Sequence, residues 1–199
     1  MRRWLLGYVV FAVFLAALVR SNVTSTSAES PTPVKLEPVT CANKPRPFDQ
    51  ISSLAATPAA PAPERAADGT AAPDDVVGEI TQTVVQAVAC ANANDVLRSF
   101  ALFTDRYLGE RFGSDHPDDL GSFNASLSRT PVSAATDDEL LLLSVDNVMI
   151  YDDVTASAMV ITENRNGQLT DELVFTWVDG RWLIDAWTLL AETPAADEE

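Results

Sequence analysis

A change of period constrains this chain more than any other feature. From about residue 140 to residue 190, apolar residues recur at every second position in four runs: LLLLSVDNVMIY, VTASAMVITENR, QLTDELVFTWV and RWLIDAWTLL. A period of two is the signature of strands. Asn166-Gly167 and Asp179-Gly180 separate the last three runs. Such dipeptides are strong hairpin signals, because a two-residue hairpin turn needs positive φ. About Asp179-Gly180 the expected register pairs Trp177 with Trp182, Phe175 with Ile184 and Leu173 with Ala186. About Asn166-Gly167 it pairs Val160 with Leu173, Ala158 with Phe175 and Ala156 with Trp177. Small alanines then lie beside large aromatics on one face, which is expected to be buried. The other face mixes Met159, Ile161, Val174, Leu183 and Trp187 with Glu172, Thr176 and Asp185. That face is too apolar to be solvated throughout, so a second copy or the preceding linker is expected to cover it.

Ahead of the strands the period is helical. Pro73-Asp74 opens a helix with acids in its first turn, where the helix dipole favours them. Val76, Val77, Ile80, Val84, Ala87, Val88 and Ala91 fall on one side. Asn94 can end this helix in a left-handed turn, and Asp95 can cap the next one, which carries Val96, Phe100 and Phe103. Thr104 can cap a further turn with Tyr107, Leu108 and Phe112. Pro117 is expected to start another helix, burying Leu120, Phe123 and Leu127.

The N-terminal part is built differently. Met1-Arg2-Arg3 precedes WLLGYVVFAVFLAALV, a run without charge. At 1.5 Å per residue this run reaches about 24 Å, short of the roughly 30 Å hydrocarbon core of a bilayer. Residues 1–28 therefore read as a cleaved signal peptide or a retained N-terminal anchor, and either leaves the remainder outside the cytoplasm. Residues 29–73 are rich in Pro, Ala, Ser and Thr and read as an extended linker. Within it, residues 41–54, CANKPRPFDQISSL, carry enough apolar side chains to dock on the domain. Cys41 and Cys90 are the only cysteines. In an oxidising compartment an even count favours a disulfide between them, with two free thiols as the alternative. Closing that loop would contribute about 4 kcal/mol in the chain-entropy account. The domain is expected at 74–190, and 191–199 reads as an acidic disordered tail.

Charge narrows the partners. From residue 74 onward six arginines oppose 24 carboxylates and there is no lysine. Such a surface repels phosphates, so nucleic acid is excluded as a partner and membrane contact is left to the N-terminal segment. Phosphate-binding glycine loops, nucleophile elbows, H-E-x-x-H and C-x-x-C are all missing. With His116 the only histidine, multi-histidine metal sites are excluded, and no metal or cofactor is expected. The run 115–119, DHPDD, reads as the acidic first turn of a helix in preference to a cation site. Four carboxylates could face a pocket: Asp105, Asp146, Asp171 and Asp185. By the register above, Asp171 belongs to the inner set and Asp185 to the outer. Phe103, Tyr107, Phe123, Phe175, Trp177 and Trp182 either line a cavity with Asp171 or simply form the core.

Ala91-Asn92-Ala93-Asn94-Asp95 followed by Leu102-Phe103-Thr104-Asp105 resembles the helix–turn–helix of the NTF2-like superfamily, "A-x-N-x-G-D … L-F-x-D", with Asn94 in place of the usual glycine. VFTWVDGRWLI, residues 174–184, resembles that family's closing hairpin. The resemblance covers about residues 75–190 and implies an α+β fold: an NTF2-like cone, N-terminal helices packed on a curved antiparallel sheet, as in the SnoaL-like proteins. It implies a pocket between the inner sheet face and the helices. No catalytic set of the family matches this sequence residue by residue, so none is carried over. Three functions follow as expectations. The first is non-catalytic binding of a small apolar ligand or a protein partner. The second is an enzyme of the SnoaL or ketosteroid isomerase kind with an Asp base. The third is an interaction domain that forms a homodimer.

Overall fold

The computed structural model describes residues 34–35, 40–55, 61, 68–113, 125, 127 and 130–195. The expected leader, part of the expected linker, His116, Leu120 and Phe123 lie outside the described residues. In chain order the elements are β1 (Val34–Lys35), α1 (Phe48–Ala55), β2 (Thr70–Ala71), α2 (Asp74–Asn92), α3 (Val96–Phe100), α4 (Asp105–Phe112), β3 (Leu141–Ile150), β4 (Thr155–Asn164), β5 (Gly167–Val178) and β6 (Arg181–Pro194). The fold is α+β. Five strands cross an antiparallel sheet in the order β1-β3-β4-β5-β6, and β2 also pairs with β3. No helix among the described residues is long and apolar enough to cross a membrane.

The helices begin and end where local chemistry dictates. Asp95 accepts a hydrogen bond from the Arg98 amide at 3.1 Å, capping α3. Thr104 Oγ1 accepts from the Tyr107 amide at 3.1 Å, capping α4. Each satisfies an amide that the first helical turn leaves without a partner. Asn94 takes φ 49° between α2 and α3, the left-handed turn that asparagine tolerates best after glycine. Asn92 is buried at the end of α2. Its amide donates to the Leu140 carbonyl at 2.9 Å and accepts from the Leu140 amide at 2.8 Å. That pair anchors the start of β3 to the helix.

The Asp179-Gly180 hairpin has the expected register near its corner: Trp177 opposes Trp182 and Phe175 opposes Ile184. Asp179 and Gly180 both have positive φ, 50° and 80°. The β4–β5 corner differs from expectation. Asn164 pairs with Gly167, so the turn is Arg165-Asn166, and every pair moves by two: Val160 opposes Asp171, Ala158 opposes Leu173 and Ala156 opposes Phe175. A shift of two leaves each side chain on its own face. The reason lies across the sheet. An added Cβ at Gly167 would stand 2.1 Å from the Thr193 carbonyl. The glycine is needed where β6 presses on β5, not in the turn. The same contact continues β6 to Pro194, so the first residues of the expected tail are strand, pairing with Gly167 to Thr170.

One face of the sheet closes on α2 and the 102–108 region in a single core that includes Ile80, Val84, Leu102, Leu108, Leu173 and Phe175. Phe175 and Ile184 have no exposed surface, and burying side chains of this size contributes roughly 2–3 kcal/mol each. Ala91, expected on the buried side of α2, is exposed, while Ala89 and Cys90 are fully buried. The cause is residues 40–47, which cover that flank. Cys41 forms a disulfide with Cys90. Gln86 accepts from the Ala42 amide at 2.9 Å and donates to the Thr40 carbonyl at 2.9 Å. Further along, the Arg46 amide donates to the Leu97 carbonyl at 2.9 Å, and Ile51 of α1 is buried against Leu127. Four anchors thus hold this segment against the domain.

Candidate ligand site

The site begins with a bulge in β6. Phe175 opposes Ile184, yet Val174 opposes Ala186, so Asp185 is an extra residue on its strand. Its side chain is buried and engaged from the helical side. Thr104 Oγ1 donates to Asp185 Oδ1 at 2.5 Å, and Arg106 Nε donates to both carboxylate oxygens at 3.0 and 2.9 Å. Arg106 also donates to the Asp185 carbonyl. Beside the bulge, the segment before α4 runs parallel to β6: the Thr104 amide donates to the Ile184 carbonyl at 2.9 Å and the Ile184 amide to the Leu102 carbonyl at 2.8 Å.

The bulge changes which residues face inward. An unbroken ladder opposes Leu173 to Ala186 and leaves Trp187 on the outer face; the structure corrects this, because Leu173 opposes Trp187 and Asp171 opposes Leu189. One inserted residue flips the side chains that follow it to the other face, here as far as a second irregularity at Leu190. Trp187 therefore joins the inner rows, Ala158–Leu173–Trp187 beside Val160–Asp171–Leu189. There it stacks on Phe103, with ring centroids 6.4 Å apart and planes 14° apart, and Phe103 stacks on Tyr107 at 5.2 Å and 16°. The Thr104 cap holds Tyr107 in the first turn of α4.

Asp171 lies beside this stack, 3% exposed. Burial pushes its carboxyl above the ordinary carboxylate value, opposed by a hydrogen bond with the Trp187 side chain. Burial likewise pushes the Tyr107 phenol up, against the pull of Arg111. Trp187 is 44% and Leu189 53% exposed. A buried acceptor thus sits next to apolar surface that water still reaches. The arrangement suits a ligand with an apolar body and one hydrogen-bond donor: rings and leucine take the body, and the carboxylate accepts from the donor.

Of the residues singled out from sequence, Phe103, Tyr107 and Asp171 share this cluster. Phe175 and Trp182 are core, and Trp177 packs against it, edge-to-face on Trp182 at 5.2 Å. Phe123 lies outside the described residues. Among the other carboxylates, Asp105 is exposed and paired with Arg46, Asp146 is exposed on β3, and Asp185 holds the bulge. Trp187 is the member that sequence reasoning missed. No local signal marks it, because the bulge is set by Arg106, 79 residues away in sequence.

A second concavity, of about 750 Å³, lies on the opposite sheet face, where Thr176, Val178 and Leu183 form one side. Lys44 to Pro47 form another. No group of three His, Cys, Asp or Glu side chains among the described residues is placed to hold a metal ion. A scan against protein-family models matches none of them to this chain, and a search of curated proteins finds none similar to it.

Proposed function

We propose that this chain is an exported NTF2-like domain that binds a small apolar ligand carrying a hydrogen-bond donor, without transforming it. In this reading the sheet curls around α2 as the family's cone does, and the ligand enters between the inner face and α4. One observation carries the reading: Asp171 is buried next to a Trp187–Phe103–Tyr107 stack whose outer ring remains open to water. The order of elements, helices first and then an antiparallel meander, supports the family. The Cys41–Cys90 disulfide is compatible with an extracellular location.

The test is native mass spectrometry of the protein isolated from its own source. The expected result is a bound small molecule that is lost in Trp187→Ala and in Asp171→Leu. An empty wild-type protein whose tryptophan emission no apolar ligand alters would remove the proposal. A dimer mass without ligand would instead favour an interaction domain, for which exposed Leu189 and Leu190 on β6 offer surface. The raised carboxyl of Asp171 favours a second reading, a general base. Incubating the released molecule with fresh enzyme separates the two, since only a base yields a product that Asp171→Asn fails to form.

A further inference from the structure

The groove on the opposite face carries charge out of keeping with the chain. The protein holds 13 basic and 29 acidic residues, yet Lys44, Arg46, Arg106 and Arg181 line this groove against Asp105, Asp179 and Asp185. Two of these acids are already matched, Asp105 by Arg46 and Asp185 by Arg106. Lys44 on the docked segment and Arg181 on the hairpin are exposed, and neither forms an ion pair among the described residues. In a chain with more than two acids for each base, two exposed cations without an ion-pair partner among the described residues stand out. Here they stand on two walls of one concavity, with only Asp179 to oppose them. Between them lie the apolar surfaces of Pro45, Pro47, Val178 and Leu183. The volume, about 750 Å³, is that of a small-molecule site.

We propose that this groove binds a small organic dicarboxylate, one carboxylate on Lys44 and the other on Arg181, with the hydrocarbon between them on the prolines and the hairpin. Arginine takes a carboxylate through a planar fork and lysine through a point charge. The low-dielectric walls of a cleft strengthen both contacts relative to an open surface. The rest of the chain is acidic and opposes the approach of any anion, so affinity should be modest and rise at low salt less than a bare cation pair would suggest. The site does not rest on the ligand reading for Asp171, which lies on the other face.

The probe is a series of linear dicarboxylates, from succinate to suberate, titrated at constant ionic strength into isotope-labelled protein and followed by backbone amide shifts. One chain length should shift amides of residues 44–47 and 178–183, and its monomethyl ester should bind at least fivefold more weakly. Lys44→Gln and Arg181→Gln should each weaken binding at least fivefold with an unchanged melting temperature, whereas Arg165→Gln and Asp171→Asn should leave it as in wild type. Shifts no larger than acetate produces, or full binding by both groove variants, would overturn the assignment.

Discussion

Removing the cation that holds the β6 bulge should cost more than any surface change of the same size. In Arg106→Met the aliphatic stem is largely kept while the charge is lost. The Asp185 side chain is 5% exposed and that of Arg106 12%. The substitution deletes both guanidinium–carboxylate contacts, at 3.0 and 2.9 Å, and leaves Asp185 with the Thr104 hydroxyl. Stranding a buried carboxylate in this way costs about 3–5 kcal/mol. The other partner of Arg106, Glu110, is 53% exposed, and that pair is worth only about 0.3–0.5 kcal/mol. Nearly all of the loss should therefore trace to Asp185. Urea unfolding at neutral pH, followed by far-ultraviolet circular dichroism, measures it. Arg106→Met/Asp185→Asn should lose less than the sum of the single variants, with a coupling of about 1–3 kcal/mol. Because the same contact turns Trp187 inward, tryptophan emission of the folded Arg106→Met protein should also change. A single-variant cost under about 1 kcal/mol, or strictly additive costs, would refute the view that this ion pair sets the bulge.

Three further outcomes are expected. Gly167→Ala places a Cβ 2.1 Å from the Thr193 carbonyl at φ +133°, so it should destabilise by at least about 1–3 kcal/mol and speed hydrogen exchange at Thr193 and Ala195. Gly180→Ala, at φ +80° with open space around it, should cost only about 1 kcal/mol. Asp171 has a folded pKa above its unfolded value, so it binds a proton more readily when folded. Its contribution to stability is present below the ordinary carboxylate value and lost as pH rises through the raised one. Asp171→Asn should therefore be more stable than wild type at neutral pH, with the gap closing as pH falls through the raised value and closed by about 4. Urea midpoints across that range check it, and a gap that widens on acidification would reverse the assignment.

Sequence alone determined whatever depends on neighbours within a few positions. Asp95 and Thr104 cap helices because a side-chain oxygen can reach an amide three residues on. Asn94 turns left-handed because its short side chain tolerates it. Asp179-Gly180 dictates Trp177 opposite Trp182 because the corner is only two residues long. The tertiary structure decided the rest, since the deciding groups are far apart along the chain. Arg106 inserts Asp185 as a bulge and so turns Trp187 to the inner face, a choice that no pattern within β6 contains. The backbone at Thr193 claims Gly167 and moves the neighbouring turn to Arg165-Asn166. The segment beginning at Cys41 becomes a wall of the domain through contacts with Gln86, Cys90 and Leu97, about fifty residues on. Local rules set corners and caps, whereas the face that a strand shows beyond a bulge depends on which distant charge must be buried.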